Sequence, residues 1–285
     1  MDSKRLTLTD KSYPEILRAI SDPPKELFVL GPLEELMAKP RLAVVGSRKV
    51  TSYGRDITTQ LAGAAAKHGV VIVSGLALGI DSLAHQAALD NGGLTVAVLP
   101  GPVDTIYPRS HHQLAQRILQ SGGALISEYP TGVSVRKYHF IARNRLIAGI
   151  SDATLVTEAV LKSGSLHTVR FALEQGREVM AVPGNITSPM SEGTNNLIKH
   201  GAIPITKTSD ILFALGIDTT SHTLARQGSN DAETAVLALL AGGRQDGETL
   251  QLSSGLDIAL FNQTLTMLEI TGKVRSLGAN TWILA

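Results

Sequence analysis

Leu42-Ala43-Val44-Val45-Gly46-Ser47-Arg48, with Thr51-Ser52 just beyond, is the stretch that decides how this chain folds. A short apolar run stops at a residue without a side chain, a small hydroxyl follows, then an arginine, and Thr51-Ser52 opens a helical pattern. The reading is strand, tight turn, helix. That geometry leaves backbone N–H groups at the start of a helix, where the helix dipole also favours negative charge. Gly46 lets the backbone approach a phosphate closely, and Arg48 can clamp one with a forked, permanent charge. Glycine also ends many core strands simply to make the turn, so the rest of the chain has to say what this turn is for.

Downstream the same pattern repeats. A helix over 52–68 is closed by Gly69, and strand Val70–Val73 ends in Ser74-Gly75. A helix over Ile80–Asn91 leads to strand Leu94–Leu99 and Pro100-Gly101. A helix over His111–Gln120 leads to strand Ala124–Ser127, a loop over 128–135 and a helix over His139–Ala148. Strand Ala153–Thr157 is followed by Lys162-Ser163-Gly164-Ser165, which opens a helix to Gln175. Strand Glu178–Val182 ends in Pro183-Gly184, and helix 191–200, strand Ile203–Thr206 and a helix near Ser209–Leu215 close the run. Upstream, residues 1–38 read as a short N-terminal region, with a helix from Tyr13 to Ile20, a strand at Leu27–Leu30 and a small helix at Leu33–Met37. Nearly every strand is a continuous apolar run, the mark of burial on both faces. Strands alternating with helices imply right-handed crossovers and a parallel sheet. The spacing therefore predicts a doubly wound, mostly parallel α/β domain over 39–216. A barrel of eight such units is the competitor, but the region is short for it and lacks a repeat.

Residues 217–230 are rich in Thr, Ser and Gly with no apolar period, hence a linker. After it, 231–285 reads as helix Ala232–Leu240, a short extended or turn segment at Thr249–Leu252, a long helix over Gly255–Ile270 and a hairpin flanking Gly278-Ala279-Asn280. Helices followed by a hairpin suggest a winged helix-turn-helix. Its recognition helix would carry Asp257, Asn262, Gln263 and Glu269 and no Lys or Arg, whereas readers of DNA place cations there. A protein-contact or regulatory module is expected.

The net charge of +1 argues against coating nucleic acid by bulk basicity, so a polyanion site has to be a local concentration of charge. One stretch qualifies: between Glu128 and Asp152 there is no acid, while Arg136, Lys137, Arg143 and Arg145 all occur. Without cysteine there is no disulfide, thiolate metal site or cysteine nucleophile. No signal peptide or bilayer-length apolar run is evident, and a soluble, cytoplasmic protein is expected.

In a doubly wound sheet, all parallel strands deliver their C-terminal ends to one edge, and ligands bind in the crevice there. Gly46-Ser47-Arg48, Ser74-Gly75, Pro100-Gly101, Ser163-Gly164-Ser165 and Pro183-Gly184 should share that rim, whose small residues and N–H groups suit a phosphate-bearing ligand. No Gly-x-Gly-x-x-Gly follows the first strand and no Gly-x-x-x-x-Gly-Lys-Ser/Thr occurs, which excludes dinucleotide cofactors and P-loop chemistry. Across the loop-to-helix junction before strand 153–157, Lys137, Phe140, Arg143, Asn144 and Arg145 put one aromatic ring among cations. For single-stranded nucleic acid that is the minimum kit: cations track the backbone while a ring stacks on a base. The plainer reading is that Phe140 is core and the arginines a solvated face. No Gly-x-Ser-x-Gly elbow appears and the histidines show no metal spacing. Asp81, Asp104, Glu128 and Glu158 fall near strand ends, where a general acid could stand, but acids at helix starts more often cap N–H groups, and that is their expected work. No catalytic residue, metal or cofactor is expected.

These blocks resemble the DNA-processing A (DprA/Smf) family. The resemblance runs from Tyr13 to Leu212 through Ser21–Pro24, Val45–Arg48, Val73–His85, Ile106–Pro108, Ser127–Pro130, Phe140–Gly149, Lys162–Leu166, Ala181–Asn185 and Glu192–Ile198. It implies a Rossmann-like domain that dimerises and binds single-stranded DNA without catalysis, and that loads a RecA-class recombinase onto incoming strands in natural transformation and recombination. By position, Gly46, Ser47 and Arg48 would hold a backbone phosphate; Ser74 and Gly75 are expected to bind DNA from the rim that the strand ends define. Lys137, Arg143 and Arg145 would line a basic pocket with Asn144, Phe140 would meet a base, and Lys162, Ser163, Gly164 and Ser165 would add N–H donors. Many members have arginine where Leu78 stands here. The rim is also similar to that of nucleotide phosphoribohydrolases of the lysine-decarboxylase-like group, an enzymatic alternative. Those carry an acid at the helix start that Ser163–Arg170 lacks.

Overall fold

Val71–Ser74, Thr95–Val98, Ala124–Ser127 and Ala153–Val156 are buried at every position, and alternate side chains along each strand enter different cores. Leu42 and Val44 pack into one hydrophobic cluster, Ala43 and Val45 into another. The structure, a computed structural model, describes residues 3–217, 228–241, 246–278 and 280–284. The chain divides into two compact units, Met1–Ile217 and Asp218–Ala285.

In the first unit the strands are β1 (Lys4–Thr7), β2 (Glu26–Leu30), β3 (Arg41–Val45), β4 (Val71–Ser74), β5 (Thr95–Val98), β6 (Ala124–Ser127), β7 (Ala153–Val156), β8 (Glu178–Ala181) and β9 (Ile203–Pro204). They form one nine-stranded sheet in the order β1-β2-β6-β5-β4-β3-β7-β8-β9. From β6 to β9 every pairing is parallel, while β2 runs antiparallel to β6 and β1 antiparallel to β2. The doubly wound fold read from the apolar runs is what the sheet displays. The segment 1–38 is not a region apart: β1 and β2 extend the same sheet, and Leu6, Tyr13, Leu17, Leu27 and Val29 join the core beneath it.

The helices before and among these strands are α1 (Glu15–Arg18), α2 (Leu33–Met37), α3 (Ser52–Lys67), α4 (Ile80–Asp90) and α5 (His112–Gln120). Of them α3 and α4 pack chiefly on the Leu42/Val44 face, through Leu61, Ala62, Ala65, Ala84 and Ala88. Their alanines allow close helix-on-sheet approach. On the other face lie α6 (Lys137–Gly149) and α7 (Ser165–Glu174), which bring Leu146, Ile147, Val169 and Ala172. From β3 the chain builds outward to β4, β5 and β6 on one side, then crosses to β7 on the other. The sheet's order therefore reverses between β3 and β7, and a crevice opens there beyond the strand C-termini.

One buried group gives the domain a pH signature. His85 on α4 is fully buried; its Nδ1 lies 2.6 Å from Thr95 Oγ1, whose own proton goes to Ile72 O. Nδ1 is therefore the protonated nitrogen, and Nε2 is buried without a partner. Burial first, then the charges of His111 and Arg143, lowers the His85 pKa to about 3 from 6.5. Between those values the unfolded chain binds a proton that the folded one does not, so stability is full above 6.5 and falls as pH drops toward 3. Compared with His85→Gln, the native protein should lose on the order of 1.5 kcal/mol more between pH 6.5 and 5, read by urea unfolding. The difference isolates His85 from Asp81, whose carboxyl is raised by burial and acts with the opposite sign. Equal slopes in the two proteins would refute the assignment.

The second unit holds helices at Asp231–Ala241, Gly247–Ser254 and Ile258–Ile270, followed by a hairpin of Val274–Gly278 and Thr281–Leu284. Thr249–Leu252, expected to be extended or a turn, is helical. Asp246 caps that helix by accepting from Thr249 N, and Leu250 is buried in the unit's core. Most of the linker expected over 217–230 lies outside the described residues. Among the described residues no helix is long and apolar enough to cross a membrane.

Candidate nucleic-acid interface

The crevice between β3 and β7 is a hollow of about 680 Å³. Gly46, Ser47, Arg48 and Lys49 form one wall, from the turn after β3; Ser163, Gly164 and Ser165 form the facing wall, from the turn after β7. Lys137, Phe140, Ile141, Arg143 and Asn144 come down from α6, Ala77 and Asp81 lie at the start of α4, and Tyr107 stands at the rim.

Arg48 is exposed and forms no ion pair among the described residues. Its guanidinium carbon sits 5.3 Å from the centre of the Phe140 ring, and Tyr107 meets that ring edge-on at 5.3 Å. An exposed cation–π contact of this kind contributes about 0.5–1 kcal/mol, little enough for a phosphate to draw the arginine off the ring. Arg136 and Lys137 stand exposed where α6 begins, with no acid in its first turn. Cations at the positive end of a 13-residue helix oppose the dipole, so positive potential accumulates at the mouth of the hollow. The aromatic kit is larger than the sequence indicated. Tyr107 belongs to it although 33 positions separate it from Phe140, and Tyr138 is exposed at the same helix start. Nothing local in the sequence marks Tyr107; only its place in a family-like block did.

Several expected site residues do other work. Two N–H groups at the start of α3 are already taken: Glu158, buried, accepts from Thr51 N at 3.0 Å and from Thr51 Oγ1, and Thr51 Oγ1 accepts from Gly54 N at 3.1 Å. Gly46 lacks a side chain for internal reasons, since a Cβ there would lie 2.6 Å from Ile80 Cγ1 and 2.8 Å from Glu158 O. Ser74 is buried and donates to Val44 O. Gly75 makes room for Arg143, whose guanidinium would be 2.3 to 2.5 Å from a Cβ at that position. Neither Ser74 nor Gly75 lines the hollow. Pro100-Gly101 is covered by Val135, while Pro183-Gly184 borders a separate groove with Tyr53 and Asn185.

Arg143 forms part of the floor. It is buried, and Nη1 donates to Gly75 O at 2.6 Å and to Val98 O. Burial lowers its pKa to about 10, against the pull of Asp81 and with the push of Arg48, so it stays charged at neutral pH. Asp81 is raised chiefly by burial; Arg143, the N–H groups of Ala77 and Gly75, and Arg48 work the other way. Arg145 does not reach the hollow. It is buried in a fork to Glu128, at 2.8 and 2.6 Å, and pairs with Asp22 at 2.9 Å. Burial opposes its charge, but the bonds and charges of Glu128 and Asp22 outweigh that and raise its pKa. Lys162 is exposed just outside the lining, with Ser163, Gly164 and Ser165 inside it; the Ser163 and Ser165 hydroxyls are 2.8 Å apart. Among the described residues no three metal-ligating side chains gather.

Residues 4–216 match the model of the family described as DNA recombination-mediator protein A. Protein Smf of Escherichia coli strain K12 is 50% identical over 200 residues, covering 70% of this chain and 53% of the relative. The DNA processing protein DprA of Streptococcus pneumoniae strain R6 is 42% identical over 207 residues, 72% of each chain. The X-ray structure of the S. pneumoniae protein superposes with a TM-score of 0.70 at 40% identity, covering 74% of each chain. A solved structure of DNA processing protein A from Helicobacter pylori, studied for a single-stranded DNA binding mode, superposes at 0.66 with 35% identity, covering 74% of this chain and 95% of that one. The chain spans about half the length of the E. coli relative it matches.

Proposed function

The chain belongs to the DNA recombination-mediator protein A family, and from that premise we propose that it binds single-stranded DNA in the β3/β7 crevice, without cleaving it. We further propose that it acts as a homodimer and hands the strand to a RecA-class recombinase during transformation and recombination. One observation carries the reading: Arg48, at the point where strand order reverses, is a cation without a carboxylate partner among the described residues, resting on an aromatic ring that can stack on a base. Around it Lys49, Lys137 and Arg143 face a single acid, Asp81, in the hollow's lining. The relative from H. pylori, with its single-stranded DNA binding mode, supports the same ligand class.

The berth is assigned to Arg48, Lys137, Phe140, Arg143 and Asn144, with Ser47 and the turn Ser163, Gly164 and Ser165 opposite. Lys162 is placed at its margin as a long-range cation. The second unit is assigned to a protein partner, since the exposed positions of its last helix, among them Ile258, Asn262, Met267, Glu269 and Ile270, include no Lys or Arg.

Fluorescence anisotropy with labelled oligothymidylate tests this. Affinity should fall with salt by about 0.7 log units per log unit of salt for each phosphate contact. Arg48→Ala should weaken binding about tenfold or more for every sequence and reduce that slope by about 0.7. Duplex bound as tightly as single strand, or an Arg48→Ala variant with native affinity and slope, would overturn the proposal.

A further inference from the structure

We propose that Asp81 reads the edge of an unpaired nucleobase in the hollow, accepting a hydrogen bond from a ring or exocyclic N–H; the proposal rests on the single-strand reading above. Asp81 is the second residue of α4 and 8% exposed, and its side chain lines the hollow beside Arg48, Phe140 and Arg143. One oxygen is occupied: Oδ2 accepts from Gly75 N at 3.1 Å and from Ala77 N at 3.4 Å. The other, Oδ1, has no partner among the described residues and is not sealed from the hollow. Among the described residues no cation stands within ion-pair distance of it, although Arg143 and Arg48 are close enough to favour its charge.

Holding the turn needs only Oδ2, and an asparagine could serve there equally. The free oxygen is an acceptor set into a berth otherwise lined by cations. A ligand that fills the hollow and displaces water has to offer it a donor, because a buried acceptor left unpaired weakens binding. A phosphodiester has only acceptors, and deoxyribose within a strand has no hydroxyl. The bases do carry donors: thymine at N3, guanine at N1 and N2, adenine at N6 and cytosine at N4. One carboxylate oxygen can take any of these, so the contact tolerates sequence. It does not tolerate pairing, because in a duplex the thymine and guanine ring N–H groups are already bonded to the opposite strand. Where it takes a ring N–H, Asp81 thus selects for the unpaired base, which the phosphate contacts cannot do.

The test compares oligothymidylate with the same oligonucleotide methylated at every thymine N3. Methylation removes the only ring N–H and leaves the phosphates and the stacking face. The native protein should bind the methylated strand about tenfold more weakly or worse. Asp81→Asn keeps an oxygen for the Gly75 and Ala77 N–H groups but turns an NH2 toward the hollow, and its two affinities should agree within about twofold. Equal losses in both proteins would mean that the methyl group acts by bulk. No loss in the native protein, or a loss produced only by blocking the strand's 3′ hydroxyl, would also overturn the proposal. A measurement on the native protein needs no variant: an oligonucleotide labelled with 15N at thymine N3 should show a protected imino proton on binding, and its absence counts against the contact. Failure of the underlying reading looks different, since then the unmodified strand would not bind, or would bind without regard to Arg48.

Discussion

Arg145→Ala should lose about 3 kcal/mol of folding stability, while the molecules that remain folded bind an oligonucleotide within about twofold of native affinity. The reason is where the guanidinium goes. Its side chain is 10% exposed and its Nη atoms bond both oxygens of Glu128, which is itself only 16% exposed. Nε bonds the side chain of Asp22 and also its backbone carbonyl, at 3.1 Å, which ties the N-terminal segment to α6. Removing the arginine leaves a largely buried carboxylate with no cation, the costly half of breaking such a pair. Asp22 is 78% exposed and adds little, which holds the figure near the low end of the range for buried pairs. Arg145→Lys should recover part of the loss, because an ammonium restores the charge but not the fork. Urea unfolding reads the stability and anisotropy reads the affinity. If Arg145→Ala kept native stability and lost affinity as Arg48→Ala is expected to, Arg145 would belong to the DNA berth after all.

The two arginines of α6 show where the sequence was legible. Phe140, Arg143 and Asn144 lie at helical spacings that share a face, and the structure brings all three to the hollow. Arg145, two positions beyond Arg143, is on another side of the helix by the same rule; the missing information was Glu128 and Asp22, the latter 123 positions away. Long-range pairing also explains the glycine turns. Small residues mark where parallel strands end, but of the five turns only those at 46–48 and 163–165 line the hollow. Which turns still have N–H groups to offer depends on carboxylates from elsewhere, Glu158 reaching back to Thr51 and Asp81 to Gly75. Strand β1 escaped notice because Lys4-Arg5-Leu6-Thr7 is short and charged, as edge strands often are.

Gly79→Ala should cost about 3 kcal/mol or more, or prevent folding outright, and in any folded fraction it should weaken DNA binding about tenfold. Gly79 precedes α4 at φ 89° and ψ −130°, a conformation that side chains other than glycine's rarely take. A Cβ there would lie 2.3 Å from Ser47 O, 2.7 Å from Arg48 Cα and 2.8 Å from Arg48 O. These are backbone atoms, so no rotamer change relieves the contact. The turn also accepts from Ile80 N through Ser47 O at 3.1 Å, so the start of α4 braces the segment that aims Arg48. Pushing the two apart redirects the guanidinium although Gly79 itself lines no part of the hollow. Gly69→Ala is the control: φ is 80° there too, but a Cβ would meet nothing within 4 Å, so strain acts alone. It should cost only about 1–2 kcal/mol and leave affinity unchanged. The gap between the two variants measures how firmly α4 holds the arginine turn, and equal behaviour in both assays would mean that the turn is positioned by something other than this glycine contact.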